Sequence, residues 1–197
     1  MRPAEDLRER LVGASLDLIA EEGIEGFSMR EVARRAGVSH QAPYHYFTDR
    51  EAILAEIVRE GFVKLRDDML SASEGIDDPG KRLTAIGRAY VHFALKNPAH
   101  FKLMFRSELV EPNRHDDAKA CALSAFDVLV STVDALSRHG RTWADESLVI
   151  ASWSMVHGLA TLMLEGKLEQ KFGKGKRAQL EAADRVIELF EHMARAR

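Results

Sequence analysis

Between Ser28 and Phe47 the chain reads SMREVARRAGVSHQAPYHYF. Most polar side chains in the second half of this stretch belong to types that touch nucleic acid. Gln41 can pair bidentately with adenine, and the hydroxyls of Tyr44 and Tyr46 can donate to phosphate oxygens. His40 and His45 add imidazole donors. From Val32 to Thr48 there are two arginines, Arg34 and Arg35, two histidines and no acid. Such a surface suits close approach to base edges and phosphates. The alternative, a merely solvated helical hairpin, is the poorer reading, because Tyr44 and Tyr46 cannot both share the small core that takes Phe47.

The elements that would position these groups are legible nearby. Ser28 and Glu31 make an S-x-x-E capping box at the start of a short helix. Val32 and Ala33 supply its apolar side, and it ends near Ala36. Gly37 takes the left-handed turn that a Cβ would oppose. Val38 points inward, and Ser39 is a good N-cap for a second short helix reaching Tyr46. Helix, glycine turn, helix is the helix-turn-helix arrangement, whose second helix lies in the DNA major groove. Leu7, Leu11, Ala14 and Leu18 recur at helical spacing ahead of it, and Gly23 ends that first helix.

The rest of the chain bounds the reading. Its net charge of −3 over 197 residues argues against a general polyanion binder. Hydrophobic residues make up 46%, enough for a sizeable core. No apolar run of signal-peptide type opens the chain, and no segment reads as long and apolar enough to span a bilayer. The one cysteine, Cys121, cannot make an internal disulfide and reads as a small core residue, with a redox sensor as the rarer alternative. Beyond residue 48 every segment reads helical. Helices are expected from Arg50 to about Ala72, from Asp78-Pro79 to Asn97, briefly after Pro98, from Asp117 to Arg138, from Thr142 to Glu165 with Thr142 and Asp145 as its cap, and from Lys176 to Ala194. A loop with Pro112 and Asn113 and a Gly/Lys-rich loop from Gly166 to Gly175 separate the later ones. The fold class expected is all-α, with about nine helices. Residues 1–48 form a helix-turn-helix unit of three helices, and residues 49–197 a larger helical domain.

The residues Gly23, Gly26-Phe27-Ser28-Met29-Arg30, Val32-Ala33, Ala36-Gly37-Val38-Ser39, Tyr44-His45-Tyr46-Phe47 and Asp49 to Leu54 give the chain its resemblance to the TetR family of bacterial transcriptional regulators. Two positions depart from the family pattern. Pro43 stands where a small hydroxyl residue is commoner, which makes the recognition helix start late or bend. Arg50 stands where lysine is commoner, and both are cations. The resemblance implies a cytoplasmic, homodimeric DNA-binding protein acting on a palindromic double-stranded operator. Base contacts fall to Gln41, Tyr44 and His45, with His40 displayed on the same DNA-binding helix, and phosphate contacts to Ser28, Arg30, Ser39, Tyr46 and Arg50. Trp153-x-x-x-His157-Gly158, following AYVHFALKNPAHFKLMF at Ala89 to Phe105, resembles the WHG type of C-terminal domain found in some TetR regulators.

That second resemblance implies a small-molecule effector. Trp153 and His157 share a helix face. Tyr90, Phe93, Phe101, Met104, Phe105 and Phe126 would join them around an apolar cavity, the alternative being that the same residues are plain core. The effector implied is apolar or amphipathic and releases a repressor from its operator. An activator, or a constitutive DNA-binding protein with a filled core, is the alternative. Dimerisation is implied through the last two helices, using the small residues Ser152, Ser154, Gly158, Ala160 and Thr161 and the stripe Leu180, Ala183, Ile187, Phe190 and Ala194, the alternative being that these stripes are buried within one chain. An enzyme is the remote reading. There is no nucleotide loop, nucleophile elbow or carboxylate–histidine metal motif, so no catalytic residue, cofactor or metal is expected. His157 has no His, Cys or carboxylate at ligand spacing in its helix.

Overall fold

Helix boundaries in the computed structural model fall where the stop and start residues stand. The structure describes residues 3–111, 114–136, 143–169 and 175–195. Among these are eight α-helices: α1 (Pro3–Glu22), α2 (Met29–Arg35), α3 (Arg50–Ser73), α4 (Pro79–Lys96), α5 (Pro98–Met104), α6 (Asp116–Asp134), α7 (Trp143–Leu164) and α8 (Lys176–Arg195). The expected all-α class holds. The recognition helix expected from Ser39 to Tyr46 is instead a 3-10 turn over Ala42–His45. Pro112, Asn113, Arg138, Thr142, residues 170–174 and the Ala194 side chain, all named above, lie outside the described residues.

Local chemistry accounts for the ends. Asp49 caps α3 by accepting from the Ala52 amide at 2.8 Å. Asp78 caps α4 in the same way, accepting from the Lys81 amide at 2.8 Å. Each carboxylate satisfies a donor that the first helical turn leaves without a partner. Pro79 opens α4, where its missing N–H costs nothing. Asn97 stops that helix ahead of Pro98.

The chain divides into two compact units that do not run linearly. One comprises residues 1–62 and 98–121, the other residues 63–97 and 122–197. In the first, α1 packs on α2 and α5. Its core holds Leu11, Leu18, Phe27, Val32, Pro43, Phe47, Ile53 and Ile57. At the crossing of α3 and α5, Gly61 makes room for Met104: a Cβ there would lie 2.6 Å from the methionine sulfur. Phe62, Phe101 and Phe105 fill the adjoining space edge to face, at centroid distances of 5.8 and 5.2 Å. That arrangement sets the positive edge of one ring against the negative face of the next.

In the second unit α4 packs between α7 and α8. Gly87 brings the three together, its missing Cβ position lying 3.3 Å from Ile187 and 3.4 Å from Val156. Arg88 ties α4 to α8 through Asp184 and Glu188. One expectation about α8 reverses. Ala183 and Ile187, read as dimer contacts, are 2% and 3% exposed inside their own chain. The apolar face left outside is Val186, Leu189 and Met193. On α7 the small residues also split, with Ser152 and Ala160 inside and Ser154 exposed.

α7 overturns a further expectation. Residues Asp145–Leu164 average a hydropathy of 1.5, so by length and composition alone this helix is apolar enough to cross a membrane. Its composition has another source. Leu148, Val149, Val156, Ala160 and Met163 are buried within the unit, while Ile150 and Leu162 lie exposed on the outer side. A helix apolar on two faces has few positions left for charge.

Candidate nucleic-acid interface and effector site

The recognition surface is built on a rigid turn. Ser28, extended at φ −144°, accepts from the Glu31 amide at 3.3 Å. The reciprocal half of the expected box is not made, because the Glu31 carboxylate turns to Arg34 at 2.6 Å and Arg35 at 3.2 Å. At the other end of α2 the Gly37 amide bonds the Arg34 carbonyl at 3.2 Å and that of Val38 bonds Ala33 at 3.0 Å. Gly37 itself is left-handed, at φ 68°. Together these features form the Schellman ending. Arg10 from α1 donates to the Ala36 carbonyl left over.

Past this turn the chain does not wind as an α-helix. Pro43 has no N–H for the Ser39 carbonyl four residues back, and its ring would crowd that oxygen. The Ser39 carbonyl instead accepts from Ala42 at 3.0 Å, an i to i+3 bond. Gln41 rather than Ser39 precedes the 3-10 turn. Pro43 and Phe47 are buried, leaving His40, Gln41, Tyr44 and His45 exposed and Tyr46 half-buried. Three residues per turn put Gln41 and Tyr44 on one side. A cleft of about 330 Å³ lies between Arg30, His40 and Tyr44, and a second of about 320 Å³ adjoins it along Ser28, Arg30, Arg34 and His40.

The positive field here is smaller than the sequence suggests. Arg35 sits between Glu21 at 2.6 Å and Glu22 at 2.7 Å, both from α1, and shares Glu31 with Arg34. The Arg34 and Arg35 guanidiniums hold the Glu31 carboxyl down at about 2. Arg50 also has internal work. It donates to the Ile24 carbonyl at 3.0 Å. Its guanidinium lies 5.5 Å from the centre of the Phe27 ring, within reach of the attraction between a cation and an aromatic face. Arg30 stands at the junction of the two clefts.

The residues expected around an effector fall into two groups, one per unit. Phe101, Met104 and Phe105 belong to the first. Tyr90, Phe93, Phe126, Trp153 and His157 belong to the second, where Phe93 is 1% exposed and serves as core. The other four meet. Tyr90 Oη is 2.9 Å from His157 Nδ1, and Trp153 lies edge to face with Phe126 at 5.6 Å and with His157 at 6.3 Å. Trp153 also hydrogen-bonds to Tyr90. An indole N–H can only donate, so the Tyr90 oxygen accepts from Trp153. Its own proton goes to His157 Nδ1 when the imidazole is neutral with its proton on Nε2. Burial acts the same way, lowering the His157 pKa and raising that of Tyr90 well above its usual value. Among the described residues no group of three or more His, Cys, Asp or Glu side chains gathers as a metal site.

Two family models cover most of the chain: "Bacterial regulatory proteins, tetR family" over residues 11–57 and "Tetracyclin repressor-like, C-terminal domain" over residues 83–195. The chain belongs to the TetR family. Regulation of transcription, and not catalysis, is what this family does. The HTH-type transcriptional regulator BetI of Rhizobium meliloti (strain 1021) is 38% identical over 81 residues, which is 41% of this chain and 40% of that protein. An uncharacterized HTH-type transcriptional regulator of Haemophilus influenzae is 28% identical over 193 residues, 97% of this chain and 90% of that one. A solved protein of unknown function from Rhodococcus sp. RHA1 superposes with a TM-score of 0.78 at 27% identity, covering 96% of this chain and 94% of its own. The TetR family transcriptional regulator PfmR of Thermus thermophilus shares the fold, with a TM-score of 0.70 at 21% identity over 93% of this chain and 97% of that one.

For this TetR chain the neutral His157 has a measurable consequence. Its folded pKa lies below the ordinary histidine value, so on acidification the unfolded state takes up the proton first. Stability is therefore fully present above about pH 6.5 and falls as pH drops from there towards the lowered folded value. His157→Asn keeps an acceptor near the Nδ1 position and cannot titrate. Thermal melts from pH 8 to pH 5 should show a steeper acid loss in the wild type than in the variant, and parallel curves would refute the neutral relay.

Proposed function

We propose that this chain is a dimeric, ligand-responsive repressor in the bacterial cytoplasm, binding a palindromic operator on double-stranded DNA and released from it by a small molecule. The observation that carries the DNA-binding reading is the exposed set His40, Gln41, Tyr44 and His45, held on a Schellman-ended helix-turn-helix with Arg30 at the junction of two clefts. Base contacts go to those four side chains. Phosphate contacts go to Ser28, Arg30, Ser39 and Tyr46, with Arg50 shared between a phosphate and the Ile24 carbonyl. Residues 1–48 act as the DNA-binding domain, and residues 49–197 bind the effector and the second subunit.

The outward apolar faces Ile150 and Leu162 of α7 and Val186, Leu189 and Met193 of α8 support dimerisation, since two-fold symmetry lets one such surface cover its own copy. Tyr90, Phe126, Trp153 and His157 support the effector reading: three aromatic rings beside a neutral hydrogen-bonding histidine suit a mostly apolar molecule with one polar group. The resemblance of Trp153-x-x-x-His157-Gly158 to the WHG pattern points the same way. Effector and operator are linked through α3, whose first part belongs to one unit and whose end belongs to the other. A ligand that binds the DNA-incompetent state about tenfold more tightly supplies about 1.4 kcal/mol of coupling, enough for tenfold release. The test is a thermal-shift screen of apolar and amphipathic compounds, with operator-release assays on the hits. Hits should release DNA from the wild type and lose their effect on Trp153→Ala. Hits indifferent to that change, or a screen in which nothing both stabilises the protein and releases DNA, would contradict the effector reading.

A further inference from the structure

Glu51, in the first turn of α3, is gripped from far along the chain. Its carboxylate accepts from the Glu111 amide at 3.0 Å, from the Arg114 guanidinium, and lies 3.2 Å from His115 Nε2. Arg114 also approaches Asp49 at 3.8 Å. All these residues belong to one compact unit. The bonds lower the Glu51 pKa, the Glu111 amide contributing most, so the carboxylate is charged and fully engaged. Its two predecessors are engaged as well. Asp49 caps α3, and Arg50 holds the Ile24 carbonyl in the turn that leads to Ser28 and α2. The recognition turn ends at His45, four residues ahead of Asp49. Arg50 and Glu51 thus tie the start of α3 to the entry to α2 and to Glu111, Arg114 and His115, a few residues after the recognition turn ends.

We propose that Glu51 is a positioning residue for DNA recognition, through which Glu111, Arg114 and His115 set operator affinity without touching DNA. The proposal rests on the DNA-binding reading above. With the clasp closed, the first turn of α3 is anchored and the recognition segment has a fixed C-terminal end. With it open, that end keeps its cap, the Arg50 bond to Ile24 and its core packing but loses the tie to Glu111, Arg114 and His115, and ordering it on DNA costs free energy that the closed form has already met. The clasp combines a backbone amide with two cationic or imidazole donors on one carboxylate, the stronger class of hydrogen bond.

The experiment uses the full chain and a duplex selected by the wild type from a random-sequence pool. Removing the carboxylate in Glu51→Ala should speed hydrogen exchange at the Glu111 amide and weaken duplex binding about tenfold, the scale of a hydrogen bond to a charged group. Glu51→Gln, which keeps one acceptor, should fall between it and the wild type. Arg114→Gln, which leaves α3 itself unchanged, should also weaken binding. A merely structural role would lower the melting temperature without changing the affinity of molecules that stay folded, so binding is compared at a temperature where thermal melts show every variant folded. Fast exchange at Glu111 with wild-type duplex binding would overturn the proposal, as would unchanged exchange in Glu51→Ala. If the wild type selects no duplex, the DNA-binding reading fails and takes this one with it, while the exchange result still reports whether the clasp exists.

Discussion

Replacing Leu189 with aspartate should turn the protein from a two-chain into a one-chain species that remains folded. Leu189 is 62% exposed in the single chain and lies between Val186 and Met193 on the outer side of α8, so the substitution leaves its own core intact. In a two-fold interface the aspartate appears twice. An uncompensated buried charge costs about 3 kcal/mol or more, so the pair should weaken association by roughly four orders of magnitude. Light scattering at micromolar concentration reads this directly. Phe190→Asp is the instructive contrast. Phe190 is half-buried within its own chain, so its charge should damage folding as well as assembly. A wild type with the mass of one chain, or a Leu189→Asp protein still dimeric, would contradict the proposed assembly.

The second large effect belongs to the recognition surface. Gln41→Ala should remove preference at one base position and cost about 1–3 kcal/mol on the best duplex. Arg30→Ala should instead weaken all sequences and reduce the dependence of log affinity on log salt by about one. Tyr46→Phe should behave as Arg30→Ala does, with a smaller loss. The comparison is made with a selected duplex and a scrambled one at several salt concentrations. A Gln41→Ala protein with unchanged sequence preference would remove Gln41 from the base-reading set, and an Arg30→Ala protein with an unchanged salt slope would remove Arg30 from the phosphate set.

How much of this was legible in the residues follows from the range of each interaction. Ser28, Gly37, Asp78-Pro79 and Asn97-Pro98 act within four residues, and the helices begin and end beside them. Pro43 also acts locally, and its effect was readable in kind: the recognition segment bends. Its extent was not, because whether one missing amide bends a helix or reduces it to a 3-10 turn depends on how Pro43 and Phe47 are buried. The acid-free run from Val32 to Thr48 is real in one dimension only. Glu21 and Glu22 come from α1 and reach Arg35 across 14 and 13 residues. The Glu51 clasp spans 60 to 64 residues and Tyr90 meets His157 across 67, distances at which spacing carries no signal. Helix α8 misled for another reason. Its apolar arc is broad, running from Ala183 and Ile187 round to Val186, Leu189 and Met193, so periodicity marks one stripe and cannot say which edge of it Gly87 will draw inward.

The central claim is sequence-selective DNA binding by a symmetric dimer. Its most direct test is to sequence the duplexes that the purified wild-type protein retains from a random pool at low and at moderate salt. The proposed assembly predicts enrichment of two related half-sites in inverted orientation, their centres separated by roughly one helical turn or a multiple of it, with retention falling as salt rises. A retained pool no different in sequence from the starting pool, at every salt concentration and with or without the screened compounds, would contradict it.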